Sequence, residues 1–188
     1  FISSKIVEYI INKVVMNNNI KMVDIGGGNG NVLHEISNIM KTKGFQINKT
    51  NMICVETKSE WVESYAFNNE DISYQFWNNN LIEIEDHSVD IVMCMVSLHH
   101  MTDHVINNTL NEIKRIIKKG GYLLIKEHDA KDENSLKYIE WEHNLYHIMD
   151  CFYENKCVDV VEYIEKNIDN FKSKDEWLSL IEERNMKF

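Results

Sequence analysis

The sequence has no proline, only seven glycines and no long apolar run among its 188 residues. The lack of proline, with abundant asparagine, isoleucine and lysine, indicates the codon bias of an AT-rich genome and says nothing about mechanism. No apolar run is long enough to cross a bilayer, and no basic and then apolar leader stands at the start, so no membrane partner is expected. The four cysteines include no C-x-x-C pair, which predicts reduced thiols in a cytoplasmic, intracellular protein.

Positive charge is also scarce, since 20 Lys and Arg residues against 30 Asp and Glu leave a net charge of −10. A protein that binds nucleic acid by neutralising phosphates is usually basic. Any RNA contact is therefore expected from a local patch, a chain end or a partner domain. Because the composition is that of one globular domain and the first residue is Phe1 rather than methionine, residues 1–188 are expected to be a single domain excised from a longer polypeptide.

Short apolar runs alternate with segments of helical periodicity along the chain. Strands are predicted over residues 20–25, 51–56, 72–77, 89–98 and 122–129. Helices are predicted over residues 1–16, 31–43, 59–67, 104–119, 135–154, 158–168 and 173–185. This alternation predicts an α/β fold, a doubly wound and mostly parallel sheet, which binds ligands beyond the carboxyl ends of its strands.

A glycine-rich turn, VDIGGGNGNVL, joins the first predicted strand to a helix. It matches the spacing D-x-G-x-G-x-G with Asp24, Gly26, Gly28 and Gly30. Because glycine has no Cβ atom, a ligand can lie directly against the backbone of such a turn. The spacing fits a dinucleotide-binding fold almost as well, and a tight turn without a ligand is another interpretation. Gly27 falls outside the spacing, which directs the first backbone substitution to Gly26 or Gly28.

Polar residues also follow the second and third predicted strands. Glu56 stands where a carboxylate holds ribose hydroxyls in nucleotide-binding folds. Asn78 is placed to accept a hydrogen bond from an adenine amine, with Phe76 and Trp77 as apolar cover. A plain loop asparagine is the alternative interpretation of Asn78.

Histidines and carboxylates follow the fourth and fifth predicted strands. Residues expected to line a cavity floor are Ser97, His99 and His100, and those expected at its mouth, facing substrate, are Glu127, His128 and Asp129. No carboxylate or cysteine lies at metal-ligand spacing from the adjacent histidines, so no metal is predicted there. A later helix carries Glu140, His143 and His147 on one face, which is predicted to be solvated because the H-E-x-x-H pattern is not met.

Taken in order, VDIGGGNG, the acid after the second strand, DHSVDIVMCMVSLHH and IKKGGYLLIKEHD resemble the successive motifs of class I S-adenosylmethionine-dependent methyltransferases. The match covers roughly residues 1–130. The resemblance implies S-adenosylmethionine as cofactor, with Gly26 and Gly28 under its methionine part and Asp24 in contact directly or through water. It also implies Glu56 on the ribose, Asn78 on the adenine, and the backbone from Met95 to Ser97 on the aminoacyl group. The family usually has aspartate where this chain has Asn78.

The start of the chain, FISSKIVEYI, resembles the N-terminal helix of mRNA cap guanine methyltransferases, in which a lysine reaches the cofactor carboxylate; Lys5 matches it. The SLHH and KEHD strand ends resemble methyltransferase domains in the capping enzymes of large DNA viruses. This resemblance implies capped RNA and other capping-enzyme domains as partners, in the host cytoplasm. The N7 atom of guanine has a free lone pair, so its methylation requires positioning and no general base.

Two other functions stay open. In a small-molecule methyltransferase, which the acidic charge favours, His100 or His128 could act as base for a hydroxyl or carbon acid. In a degenerate domain, weak cofactor binding would serve a partner subunit. Class I methyltransferases usually end in an antiparallel strand pair, and SKDEWLSLIEERNMKF ends where that pair would begin, so the pair is expected to be absent or the late helices misassigned.

Overall fold

The computed structural model describes residues 8–10, 17–57, 59, 62, 70–154 and 169–186. The chain divides into two compact units, one of residues 1–95 and 111–125 (unit 1) and one of residues 96–110 and 126–188 (unit 2). The predicted helices over 1–16 and 59–67 lie largely outside the described residues. Lys5 and the predicted helix over 158–168 lie entirely outside them.

Unit 1 contains a five-stranded sheet, whose last strand ends one residue into unit 2. The strands are β1 (Met22–Ile25), β2 (Met52–Glu56), β3 (Ser73–Phe76), β4 (Val89–Met95) and β5 (Ile117–Lys126). Their order is β3-β2-β1-β4-β5, and β1 pairs in parallel with both β2 and β4. The predicted α/β doubly wound fold is confirmed, with the reversal of strand order between β1 and β4, where such sheets bind ligands.

The register of the sheet brings the ends of β1 and β2 together. Asp24 lies opposite Cys54 on β2 and opposite Met93 on β4. Glu56 is the last residue of β2 and lies opposite Phe76 of β3. All four residues of β1 are buried, as expected for a central strand covered on both faces.

Helix α1 (Asn31–Thr42) follows the glycine turn and packs on the sheet. Its buried residues, Leu33, Ile36, Ser37 and Met40, recur at helical spacing. The apolar ones join a core cluster that contains Met22 of β1 and Met52 of β2. The residue that precedes the helix is Gly30, at φ 74°, a left-handed conformation that glycine adopts without strain.

Helix α2 (Asp103–Ile116) ends earlier than the sequence predicts. The sequence predicts a helix to the glycine pair and a strand from Tyr122, but β5 begins at Ile117. The carbonyl groups of Arg115 and Ile116 accept hydrogen bonds of 2.9 Å from the N–H groups of His87 and Ser88. These contacts occupy the carbonyls at the helix end, which propensity along α2 does not reveal.

The remaining described elements belong to unit 2. They are a 3-10 helix (Leu98–His100) and helices α3 (Glu133–Glu154) and α4 (Lys174–Glu182). Helix α4 begins at a capping box in which Ser173 and Glu176 bond each other's backbone N–H groups, so the late helix predicted from Ser173 is confirmed. Between residues 127 and 154 and from 169 to 186 the structure has no strand. No helix in the described ranges is both long enough and apolar enough to span a membrane.

Candidate functional site

The carboxylate of Asp24 is the most unusual buried group of unit 1. The residue is 1% exposed, and neither carboxylate oxygen has a hydrogen-bond partner among the described residues. Burial, and then the nearby charge of Glu56, raise the pKa of Asp24 to about 7. An unpaired buried carboxylate lowers the stability of the fold, so we interpret Asp24 as a functional residue and not as one that stabilises the structure.

The glycine turn is tied to the ends of the first three strands. The Gly26 N–H donates to the Val55 carbonyl at 2.8 Å, and the Tyr74 hydroxyl donates to the Asn29 carbonyl at 2.8 Å. Gly26 and Gly28 have φ angles of 71° and 55°, a region where side-chain-bearing residues are strained. The spacing in the sequence therefore identified glycines that the backbone conformation requires.

Gly27 is the glycine that falls outside the spacing, and the structure leaves no room for a side chain there. A Cβ atom there would lie 2.8 Å from the Cys54 Sγ atom and 2.9 Å from the Asp24 carboxylate. At Gly28, by contrast, no atom of the described residues lies within 4 Å of the corresponding position. Gly27 thus leaves room for Asp24, a steric requirement that the spacing does not reveal, whereas Gly26 and Gly28 are required by their left-handed φ angles.

The segment after β3 only partly follows the sequence prediction. The Trp77 N–H donates to the Glu56 carbonyl at 2.8 Å, which binds this segment to the end of β2. Trp77 is buried, Phe76 is 47% exposed, and Asn78 is exposed. The Asn78 side-chain oxygen accepts a hydrogen bond of 3.3 Å from the Asn80 N–H. Asn78 therefore also stabilises its own turn, as the loop interpretation expects.

In unit 2, the residues that follow β4 are held by Glu127. The Glu127 side chain is 3% exposed, and its Oε1 atom accepts hydrogen bonds from the N–H groups of Ser97 at 2.9 Å and Leu98 at 2.7 Å. Its Oε2 atom lies 2.6 Å from the His99 Nδ1 atom. The prediction placed Glu127 at a cavity mouth, but these contacts bury it as a positioning group.

Val96 marks this turn as strained. It has φ 57°, which is rare for a β-branched residue, and its N–H donates to the Lys126 carbonyl at 2.7 Å. The N–H groups of Val96 and Ser97 are both engaged inside unit 2, so they are not donors to a ligand. The predicted contact of residues 95–97 with an aminoacyl group would have to use other backbone atoms.

Four histidines of unit 2 lie together. The ring centroids of His99 and His100 are 4.1 Å apart, those of His99 and His143 4.7 Å, and those of His128 and His143 5.0 Å. His143 is 8% exposed, so the prediction of a solvated helix face is wrong for this residue. The sequence pattern missed this because α3 turns one face toward three histidines that are distant in the chain.

The four histidines differ in their surroundings. His99 is 1% exposed, and its Nε2 atom has no hydrogen-bond partner among the described residues. The Nε2 atoms of His128 and His143 are 3.1 Å apart. Burial, followed by the charge of His99, lowers the pKa of His128. The side chain of His100 is 43% exposed, which makes His100 the most accessible ring of those with a stated exposure.

The segment 169–174 completes this cluster, and no sequence pattern predicts its position there. The Asp169 Oδ1 atom lies 3.8 Å from the Nδ1 atoms of both His100 and His143. The Asn170 N–H donates to the His99 carbonyl at 2.7 Å, and the Phe171 ring stacks on the His99 ring with centroids 5.2 Å apart. Residues from four places in the chain therefore meet in unit 2.

The parallel sheet, the glycine turn and the acids that end β1 and β2 define the class: a Rossmann-like domain that binds a nucleotide-containing cofactor. A methyltransferase-domain family matches residues 16–185, and the chain belongs to that family. It is a methyltransferase, and S-adenosylmethionine is its methyl donor. The predicted enzyme class and cofactor are thereby confirmed. No curated protein matches the chain.

Solved structures with the same fold share little sequence with this chain. The YcgJ protein from Bacillus subtilis has a TM-score of 0.67 and 20% identity, over 98% of this chain and 69% of that one. A Haloferax volcanii methyltransferase in complex with the Trm112 methyltransferase activator has a TM-score of 0.62 and 22% identity, over 94% of this chain and 66% of that one. A Thermotoga maritima protein, described as a possible histamine N-methyltransferase, has a TM-score of 0.62 and 18% identity, over 100% of this chain and 72% of that one.

Proposed function

We propose that this domain binds S-adenosylmethionine with Asp24, Glu56 and the backbone of the glycine turn, and transfers its methyl group to a small molecule that carries a proton on its nucleophilic atom. The observation that carries the cofactor site is the Asp24 carboxylate, which is buried without a hydrogen-bond partner in the described structure. Capped RNA, which the sequence motifs favour, is the second candidate acceptor.

The residues at the ends of β1 and β2 fit this cofactor. S-adenosylmethionine is cationic and carries an ammonium group and ribose hydroxyls, which are donors for carboxylates. Asp24 supplies an acceptor without a partner in the described ranges, and Gly27 leaves open the space that a Cβ atom would take from it. Glu56, 4% exposed at the end of β2, is the carboxylate proposed for the ribose hydroxyls.

Methyl transfer requires these residues mainly to position the cofactor. When bound, S-adenosylmethionine supplies a methyl group activated by its sulfonium. Asp24 and Glu56 would orient the ligand, and fixing two reactants in line is worth about 7–11 kcal/mol of the barrier. Gly26 and Gly28, held by their left-handed φ angles, keep the turn free of side chains.

The acceptor is proposed to bind at the segments that follow β4 and β5. His100 is the accessible histidine of the cluster, and Asp169 lies 3.8 Å from its Nδ1 atom. A carboxylate beside an imidazole orients the ring and stabilises its protonated form, which suits a base that takes a proton from a hydroxyl or amine. Guanine N7 needs no base, so the His100–Asp169 arrangement and the net charge of −10 favour the small molecule.

Replacing Asp24 tests the cofactor site. Asp24→Ala is expected to weaken S-adenosylmethionine binding by more than about 100-fold in calorimetry, because a charge-assisted contact to a desolvated carboxylate is lost. Glu83→Gln is the matched control, since Glu83 is an exposed carboxylate of unit 1. An unchanged affinity of a folded Asp24→Ala protein for S-adenosylmethionine would refute the assignment of Asp24 to the cofactor site.

The acceptor is tested with radiolabelled S-adenosylmethionine, offered with a panel of small amines and hydroxyl compounds and, separately, with GpppA-capped RNA. Label on a small molecule, reduced at least tenfold by His100→Asn, supports the proposal. Label on the cap guanine identifies the second candidate instead and overturns the small-molecule proposal. Cofactor binding without transfer to any acceptor also contradicts it and indicates a cofactor-binding subunit.

A further inference from the structure

We propose that the histidine cluster of unit 2 is a binding site for a divalent transition-metal ion of the Zn²⁺ type, with His99, His100 and His143 as nitrogen ligands and Asp169 as the oxygen ligand. The ring nitrogens that the three histidines offer all lie within 4.8 Å of one another. The site goes beyond the proposed methyl transfer, and its occupancy can be measured without cofactor or acceptor.

His99 provides the strongest evidence. Its Nδ1 atom is 2.6 Å from the buried Glu127 carboxylate, while its Nε2 atom is buried with no hydrogen-bond partner in the described structure. A carboxylate that accepts the Nδ1 proton leaves the Nε2 lone pair exposed for another contact. Histidine ligands of zinc show this arrangement, in which the carboxylate fixes both the tautomer and the ring orientation.

The second pair of histidines has a matching arrangement. The Nε2 atom of His143 is 3.1 Å from that of His128, so one ring donates and the other accepts. In the tautomer in which His143 donates from its Nε2 atom to His128, the Nδ1 atom of His143 is an acceptor, as a metal ligand must be. His143 then presents its Nδ1 atom to the ion, on the side where Asp169 lies 3.8 Å away.

Asp169 links two of the ligands. Its Oδ1 atom is 3.8 Å from the Nδ1 atoms of both His100 and His143. Ligand atoms at about 2.1 Å from a tetrahedral zinc ion stand roughly 3.4 Å apart, so small side-chain rotations bring this set to bonding distance. His100, with 43% of its side chain exposed, offers a path for the ion into an otherwise buried site.

The donor set also selects the ion. Three imidazoles and one carboxylate suit Zn²⁺ and its transition-metal neighbours, whereas Mg²⁺ requires an oxygen-rich octahedral site. With an ion bound, His100 would be a ligand rather than the base assigned above. Metal binding is therefore measured without cofactor or acceptor, and methyl transfer is measured on the chelator-treated, metal-free chain in which His100 can act as base, so that the failure of one proposal is distinguishable from the failure of the other.

The experiment is calorimetric titration of chelator-treated, untagged protein with Zn²⁺, with Mg²⁺ as the metal control. One Zn²⁺ per chain is expected, and His100→Asn and His143→Gln should each weaken it by about tenfold or more. His34→Gln, which alters an exposed histidine of unit 1, should leave it unchanged. Because His100 is exposed, His100→Asn is expected to fold with an unaltered Tm.

Co²⁺ supplies a second readout, since its visible spectrum reports tetrahedral nitrogen and oxygen coordination. The tetrahedral spectrum should appear with the wild-type chain and disappear with the His100→Asn and His143→Gln double variant. Absence of Zn²⁺ binding, equal affinity in that double variant, or an octahedral Co²⁺ spectrum would overturn the proposal.

Discussion

The two clusters of polar residues in this chain are built in opposite ways. The cofactor-type site of unit 1 takes Asp24 and the glycine turn from one continuous stretch, with Glu56 at the end of the neighbouring strand. The histidine cluster of unit 2 takes its residues from the turns after β4 and β5, from α3, and from the segment before α4.

Their electrostatics differ as well. In unit 1, burial and then the nearby charge of Glu56 raise the pKa of Asp24, whose carboxylate has no cationic partner among the described residues. In unit 2, the buried carboxylate of Glu127 is satisfied by two backbone N–H groups and an imidazole. The Asp24 carboxylate has no hydrogen-bond partner among the described residues, whereas the Glu127 carboxylate has three.

Breaking the contacts of Glu127 should have the largest effect on stability. Glu127→Ala leaves the N–H groups of Ser97 and Leu98 and the ring of His99 without their acceptor, at a cost of about 3–5 kcal/mol. Urea denaturation measures the change in unfolding free energy. Glu127→Gln keeps an acceptor oxygen and should lose clearly less, and equal losses in the two variants would refute the positioning role.

Filling the space at Gly27 should have the next largest effect. Gly27→Ala places a methyl group 2.8 Å from the Cys54 Sγ atom and 2.9 Å from the Asp24 carboxylate, which costs about 1–3 kcal/mol of stability. It should also weaken S-adenosylmethionine binding, because Asp24 must move.

Gly28→Ala is the matched comparison for Gly27→Ala. The substitution places a side chain on a residue with a left-handed φ angle, which costs about 1–2 kcal/mol of stability. No described atom lies within 4 Å of the added methyl group. Calorimetry and thermal denaturation of both variants check the difference. A Gly28→Ala protein that loses more cofactor affinity than Gly27→Ala would contradict the steric explanation.

Removing the charge of Asp24 should stabilise the cofactor-free chain. The pKa of Asp24 lies near 7 when folded, above its value of about 3.9 when unfolded, so the folded state retains the proton across this window and stability falls as pH rises through it. Asp24→Asn removes this pH-dependent loss of stability. Its free energy of unfolding at pH 8 should exceed that of the wild type by on the order of 1–2 kcal/mol, while it binds the cofactor poorly. Thermal denaturation at pH 5 and pH 8 checks it; an equal gain at both would argue against the carboxylate as the cause.

The smallest effect is the pH dependence of cofactor affinity. Below pH 7 the Asp24 carboxyl is protonated, so binding a cationic ligand must release that proton, and the affinity should fall by up to about tenfold per pH unit. Above pH 7 it should level off. Among the described residues, Glu56 and the Cys54 thiol, whose pKa is raised by burial, are the other titratable groups that interact with Asp24. Calorimetry between pH 5.5 and 8.5, in buffers of different ionisation enthalpy, reports the released proton, and a flat profile would show that Asp24 does not titrate on binding.

Most of unit 1 could be predicted because its information is local. The alternation of buried strands and amphipathic helices identified the sheet, and the D-x-G-x-G-x-G spacing identified Asp24, Gly26 and Gly28. The prediction was incomplete at Gly27, whose steric requirement comes from the Cys54 side chain on another strand and from Asp24. It failed at the end of α2, where contacts from the residues before β4 decide the boundary.

The sequence by itself determined the fold class, the cofactor class and the residues that end β1 and β2, because period, spacing and glycine conformation act over a few neighbouring positions. Only the tertiary structure decided that His143 is buried, that Glu127 positions the turn after β4, and that Asp169 lies beside His100. These residues are separated by up to 72 positions in the chain, from 97 to 169, and no local pattern encodes such a meeting. Their contacts exist only once the chain has folded and long-range burial has brought them together.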